Sequence, residues 1–248
     1  MKLVVAAFFM AWGMFWIVPC PVKWWDERAR KGMLLFLPVI GLLIGLVWAL
    51  CAWLRERYLP GLLGAGALTV IPFILSGFIH LDGYMDCSDA VLSRRDLDTR
   101  RKILKDSHVG SFAVVTLVIL FLLEYSVFAG YTLGKKLWLL PLVCAAPRAY
   151  SIWRVLTVKP LPGSSYERMF ADGVPAWARG SALGILGLLV IVPPLLFGRA
   201  GLCSFFGALG ACLTIWYIRC DLRGMSGDIS GAGITVGELC ALAALALL

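Results

Sequence analysis

Met33-Leu34-Leu35-Phe36-Leu37-Pro38-Val39-Ile40-Gly41-Leu42-Leu43-Ile44-Gly45-Leu46-Val47-Trp48-Ala49-Leu50-Cys51-Ala52-Trp53-Leu54 runs for 22 residues without a charge. A helix needs about 20 predominantly apolar residues to cross a hydrocarbon core about 30 Å thick. This stretch meets that length and shows no polar stripe of the kind a soluble helix keeps toward water. Six further runs read the same way: 61–80, 110–130, 137–157, 181–197, 202–219 and 232–248. The whole chain is 60% hydrophobic with a mean hydropathy of +0.87, well above a soluble domain. The expected fold is therefore all-α, a polytopic membrane helical bundle of about seven transmembrane helices in one domain, 1–248. Residues 3–19 form an eighth apolar run, rich in Phe and Trp, ending at Pro19-Cys20-Pro21. No small-residue cleavage site follows it, so it reads as a retained interfacial or re-entrant helix.

The net charge of +8 would suggest nucleic acid in a soluble protein. Here the basic residues sort by loop. Segments 20–32, 81–109, 158–180 and 220–231 hold 14 Lys and Arg, and the alternate segments 55–60, 131–136 and 198–201 hold 5. Positive residues stay on the cytoplasmic side, which places the first set there. The same four segments carry 12 of the 15 acidic residues, as a single active face requires. The eight cysteines form no C-x-x-C pair and mostly lie in apolar runs, where thiols act as small hydrophobes. Gly41 with Gly45, Gly180 with Gly184 and Gly233 with Gly237 have the spacing that lets helices approach closely in lipid. No internal repeat suggests a transporter built from repeated halves.

The chemistry concentrates in His80-Leu81-Asp82-Gly83-Tyr84-Met85-Asp86-Cys87-Ser88-Asp89-Ala90. Asp82, Asp86 and Asp89 recur at i, i+4 and i+7, one face of a helix. Like charges so placed repel, and near a membrane boundary they are costly to bury. A cation relieves both. Mg²⁺ suits an oxygen-only site, since it combines one or two carboxylates with water and phosphate; zinc would need His or Cys ligands. One Asp could merely cap the helix, but capping does not account for three. Lys105-Asp106-Ser107 lies at the mouth of the next span. Its loop could fold back over the Asp face, with Lys105 on phosphate and Asp106 completing a metal site. Gly224-Met225-Ser226-Gly227-Asp228-Ile229-Ser230-Gly231 could cradle phosphate through its backbone, or simply cap a helix. Glu238, in the helix that follows, is expected on the same side as Asp228. Glu124 is ionisable within an apolar run but has no acidic companion, and it receives no role.

Taken in order, His80-Leu81-Asp82-Gly83-x-x-Asp86-x-x-Asp89-Ala90, Lys105-Asp106-Ser107-x-x-Gly110 and Gly224-x-Ser226-Gly227-Asp228-x-x-Gly231-Ala232 with Glu238 resemble the cobalamin synthase (adenosylcobinamide-GDP ribazoletransferase) family. The likeness covers nearly the whole chain, including Pro19-x-Pro21 and Leu37-Pro38-x-x-Gly41-x-x-x-Gly45. It departs from the family pattern at Trp16-Ile17, where Thr-Arg is usual, and at Arg223, Ser226 and Thr235; 162–173 matches loosely. The resemblance implies a transferase that joins adenosylcobinamide-GDP to α-ribazole or its 5′-phosphate, with release of GMP. It implies catalytic roles for Asp82, Asp86, Asp89 and Asp106, and magnesium held by Asp82, Asp86, Asp89 and Asp228. Substrate contacts are assigned to His80, Lys105, Ser107, Arg148, Ser226, Gly227 and Glu238. The expected partners are these small molecules and membrane lipid, with no nucleic acid; a homo-oligomer is compatible. Other intramembrane phosphotransferases, prenyltransferases and a transporter with a carboxylate relay are the competing classes. The first wants Ala at position 86, the second two separate Asp-rich repeats, and the third carboxylates near mid-membrane.

Overall fold

An apolar run placed in lipid must pair every backbone N–H and C=O within itself, which leaves the helix as the local solution. The computed structural model, which describes residues 2–59 and 61–248, is helical over most of the apolar sequence. The α-helices are α1 (Lys2–Phe15), α2 (Arg30–Met33), α3 (Leu37–Tyr58), α4 (Leu62–Leu75), α5 (Ile79–Leu92), α6 (Leu97–Ile103), α7 (Ser111–Gly130), α8 (Leu140–Thr157), α9 (Ser165–Met169), α10 (Ala176–Phe197), α11 (Leu202–Leu222) and α12 (Gly227–Leu247). The described residues form no β-strand, only an isolated bridge between Pro160 and Met225.

The all-α membrane-type bundle agrees with the sequence, but the count of seven spans does not emerge. Four helical stretches are long and apolar enough to cross: Glu27–Tyr58, Ser111–Gly130, Ala176–Leu222 and Gly227–Leu247. A bent pair, Leu62–Leu75 with Ile79–Leu92, makes five. The differences have local causes. The run 61–80 yields only the 14 residues of α4, about 21 Å of helix, before the chain turns by 93° into α5. The turn is chemically explicit. Gly77 and Phe78 both take positive φ, 62° and 60°. The Phe78 N–H donates to the Phe73 carbonyl and the Gly77 N–H to the Ile74 carbonyl, both at 2.9 Å. That is the helix-ending pattern in which a left-handed glycine satisfies the last carbonyls. The run 137–157 opens with 3₁₀ turns and carries Arg148 and Arg154 in α8. Runs 181–197 and 202–219 become α10 and α11, parts of one stretch interrupted by a 3₁₀ turn at Gly198–Gly201. The 14-residue α1 is too short to cross, as expected of an interfacial or re-entrant segment.

The centre of the bundle is α8 with α12. α8 buries 12 of its 18 residues, and α12 packs mainly on α11, α5 and α8. Two of the three glycine pairs act as helix seams. A methyl at Gly41 would lie 2.9 Å from the Cys144 carbonyl, and one at Gly237 would lie 2.7 Å from the Gly207 carbonyl. Gly180 and Gly184 instead have nothing within 4 Å, so the close packing expected there is absent.

The four charge-rich segments meet at one end of the bundle. The Lys31 ammonium donates to the Gly173 carbonyl (3.0 Å) and the Lys105 ammonium to the Pro162 carbonyl (3.2 Å). Arg100 pairs with Asp221, and the Arg101 guanidinium donates to the Leu222 carbonyl (3.1 Å). The Met225 N–H donates to Lys159 and the Leu161 N–H to Met225. Each segment is thus tied to at least one other.

Candidate active site

The acidic stretch sits on α5, whose 3.6-residue period carries Asp82, Asp86 and Asp89 along one face. α12 crosses this helix at very short range. A methyl on Gly83 would fall 2.7 Å from the Asp228 Cα, and one on Gly231 would fall 2.9 Å from the His80 carbonyl. Two glycines, one on each helix, therefore bring Asp228 against the α5 carboxylates. Ser226 fixes the start of α12: its hydroxyl accepts from the Ile229 N–H (3.3 Å) and donates to the Asp228 carboxylate (3.2 Å). The charges of Asp82, Asp89 and Asp228 all bear on Asp86. Among the described residues, Asp82, Asp86 and Asp228 have no ion-pair partner.

Three cavities adjoin at these carboxylates. A central one of about 220 Å³ has Asp82, Asp228, His80, Arg30, Tyr166 and Ser230 in its wall. A polar one of about 320 Å³ shares Asp228, Gly227 and Ser165 with it and adds Lys105, Ser164 and Ser226. The third, about 570 Å³, shares Asp82, Ile79 and Met14 with the centre and is otherwise lined by the end of α1 and the α4–α5 turn. Together they form a trough with Asp82 and Asp228 at its floor.

The pattern of three motifs on this trough is matched by a known family. The family model described as cobalamin-5-phosphate synthase matches residues 7–246. The chain belongs to this family. The adenosylcobinamide-GDP ribazoletransferase of Clostridium perfringens strain 13 is 32% identical over 254 residues, covering all of both chains. The protein of that name from Clostridium botulinum strain Alaska E43 is 32% identical over 98% of this chain and 97% of its own. That from Halalkalibacterium halodurans is 32% identical over 87% and 85%. No solved structure matches.

Within this cobalamin-5-phosphate synthase family member, the residues singled out from sequence occupy three kinds of place. His80, Asp82, Gly227 and Asp228 line the central cavity, and Lys105 and Ser226 line the polar one. The His80 ring is buried, packs over Phe15 with centroids 6.1 Å apart, and leaves Nε2 without a partner. Asp89 is held differently. Its two oxygens accept the Gly110 N–H (2.7 Å) and the Ala113 N–H (3.0 Å). It thus caps α7 from another helix, satisfying donors that have no partner within the helix itself. Asp106 is exposed and bound within its own loop to His108, by Nδ1 (2.6 Å) and N–H (3.1 Å). That contact holds the Asp106 carboxyl below the usual range and raises His108 above its own. Ser107 is exposed and lines none of the three cavities. So the loop does fold back to the site, but through Lys105.

Arg148 and Glu238 form an ion pair inside the bundle, 1% and 6% exposed. Glu238 does not share a side with Asp228: ten residues along a helix leave about 80° between them. The Arg148 guanidinium also donates to the Cys144 carbonyl at 2.6 Å. Glu124 is buried with Oε2 unpartnered.

Ser164, Ser165, Tyr166 and Arg30 line the trough without having been singled out. A signal for the first three was present. Ser164-x-x-Glu167 is a helix-start signature, and the Ser164 hydroxyl indeed accepts the Glu167 N–H (3.2 Å). Burial pushes the Tyr166 phenol up to about 12, so it remains a hydrogen-bond donor at neutral pH.

Among the described residues no three His, Cys, Asp or Glu side chains form a ready-made metal cage. Magnesium takes much of its shell from water and phosphate, and a floor of unpaired carboxylates beside a phosphate-sized polar cavity fits that habit.

Proposed function

We infer that this protein is a membrane transferase that joins adenosylcobinamide-GDP to α-ribazole, or to its 5′-phosphate, and releases GMP. Family membership and the full-length likeness to proteins named adenosylcobinamide-GDP ribazoletransferase support the reaction. The observation that carries it at the level of residues is the trough itself: Asp82 and Asp228, without ion-pair partners among the described residues, line the central cavity between two others, with Asp86 next along the α5 face.

The ribose hydroxyl forms a new P–O bond to the phosphorus on the cobinamide side. The bond from that phosphorus to the bridging oxygen breaks, and GMP departs with the electron pair. A carboxylate of the Asp82–Asp86–Asp228 group is placed to accept the hydroxyl proton. Lys105 and the first N–H groups of α12, capped by Ser226, offer positive charge to the diphosphate. In this reading Asp82, Asp86 and Asp228 would hold magnesium, which would supply charge neutralisation for the phosphates. Asp89 keeps the end of α7 and the preceding loop in register with α5. The four linked basic segments face the cytoplasm of a multi-pass protein in the cell membrane, by the distribution of Lys and Arg.

The test is incubation of detergent-purified protein with adenosylcobinamide-GDP, α-ribazole and magnesium, with GMP measured. Release that requires both substrates and stops with EDTA is expected. No GMP under these conditions refutes the reaction, and full turnover in metal-free buffer refutes the magnesium site.

A further inference from the structure

The two outer cavities of the trough differ in chemistry. The one beyond Asp228 presents Lys105, Ser164, Ser165 and Ser226. The one beyond Asp82 presents Trp16, Ile17, Met14 and Phe78. It shares Trp16, Ile17, Gly13 and Met14 with a further hollow of about 640 Å³ that Trp24 and Trp25 also line. On the transferase reading, the attacking hydroxyl belongs to the ribose that carries the benzimidazole base. The base must then lie one sugar ring away from the reacting phosphorus, in a cavity that abuts the carboxylates. A polar lysine–serine pocket suits phosphate oxygens. A planar, polarisable heterocycle suits aromatic walls.

Two details fix the aromatic wall beside Asp82. Phe78 is half-exposed and is held by the helix-ending turn, its N–H donating to the Phe73 carbonyl. Trp16 lies against Trp12, with ring centroids 4.7 Å apart, and Trp12 donates to the Val18 carbonyl at 2.8 Å. The wall is also anchored: the Ile17 N–H donates to the Leu75 carbonyl at 2.8 Å, which ties the end of α1 to the α4–α5 turn.

We propose that the cavity between the end of α1 and the α4–α5 turn binds the aromatic base of the ribazole substrate, with Trp16 and Phe78 as its walls. This rests on the transferase reading for the identity of the ligand, and it orients the pair of substrates: base toward α1, diphosphate toward Lys105.

The test compares wild type with Trp16→Ala, Trp16→Phe and Phe78→Gly in detergent, with KM determined for each substrate separately. Losing one stacking wall weakens binding of a base by about tenfold. Trp16→Ala and Phe78→Gly should therefore raise KM for α-ribazole by about that factor while leaving KM for adenosylcobinamide-GDP within about twofold. Trp16→Phe should recover most of the loss. Free benzimidazole, titrated calorimetrically into the protein alone, should bind wild type and bind Trp16→Ala more weakly. A rise in KM for adenosylcobinamide-GDP instead, or unchanged KM for both, overturns the assignment. So does unchanged α-ribazole KM together with reduced co-purifying lipid in Trp16→Ala, which would make the aromatic wall a lipid anchor. If wild type releases no GMP, the transferase reading fails. The benzimidazole titration then decides the cavity by itself, and absence of binding overturns it.

Discussion

Replacing Gly83 by alanine puts a methyl group into the seam between α5 and α12. Its carbon would sit 2.7 Å from the Asp228 Cα and 2.8 Å from the Asp228 carbonyl oxygen. Carbon atoms rest at about 3.5–4.0 Å, so the helices must separate by about 1 Å. Both obstructing atoms are backbone, and no rotamer change can absorb the strain. Overpacking of this kind costs about 1–3 kcal/mol, offset by about 1 kcal/mol from the better helix propensity of alanine. Net stability should thus fall by about 0–2 kcal/mol. Activity should fall much further, because Asp228 moves relative to Asp82 and Asp86, and a displacement of about 1 Å can cost about 100-fold in rate. The assay pairs melting temperature in detergent with GMP release on the same preparations. Gly180→Ala, at a glycine with nothing within 4 Å, is the control and should match or exceed wild type in both. Wild-type GMP release from Gly83→Ala would refute the idea that this crossing sets the site.

Asp82→Asn and Asp86→Asn should remove most GMP release without unfolding the protein, and each should raise the magnesium concentration needed for half-maximal rate. Asp89→Ala should leave the magnesium requirement nearly unchanged but weaken the α7 cap by about 0.5–2 kcal/mol. Faster amide hydrogen exchange at Gly110 and Ala113 is the readout; unchanged exchange would refute the capping role. The His108 imidazole should titrate above the ordinary histidine value, because the Asp106 carboxylate favours its charged form. The link is complete at pH values above the ordinary Asp range and below the ordinary His range. It is lost as pH rises through the raised His108 value or falls through the lowered Asp106 value. In Asp106→Asn the His108 resonance should move back toward the ordinary midpoint. Single cysteines at exposed Arg95 and Arg223 should resist an impermeant reagent applied to intact cells, and labelling of either contradicts the proposed orientation.

Much of this architecture is written in hydropathy, because lipid enforces helix formation wherever a long run is apolar. The spacing of Asp82, Asp86 and Asp89 likewise depends only on the helical period, and α5 carries all three. What the spacing could not tell is that Asp89 would meet the amides of Gly110 and Ala113, far along the chain. The break after α4 was hidden for a related reason. Ser76-Gly77-Phe78 lies inside an apolar stretch, and hydropathy does not register a change of backbone handedness. The same blindness affects the span count, since short and bent helices score like straight ones. The angle between Glu238 and Asp228 was readable from their ten-residue separation, but the partner of Glu238, Arg148, belongs to α8, and a pairing between distant helices leaves no local trace. Gly83 and Gly231 stand in the recognised motifs, but that they face one another across two helices emerges only from packing.

The seam that joins α5 to α12 also has a consequence for biosynthesis. Asp82 and Asp86 emerge from the ribosome well before Asp228, which arrives with the final helix. Until α12 has inserted and lodged Gly231 against His80, the carboxylate floor is incomplete and the trough has no closed wall on that side. A chain that stops before α12 lacks both Asp228 and the glycine that seats it against α5. By the same logic the interruption at Gly198–Gly201, remote from the floor, is a natural point at which to divide the polypeptide. Two co-expressed fragments meeting there would regain function only on finding each other in the bilayer.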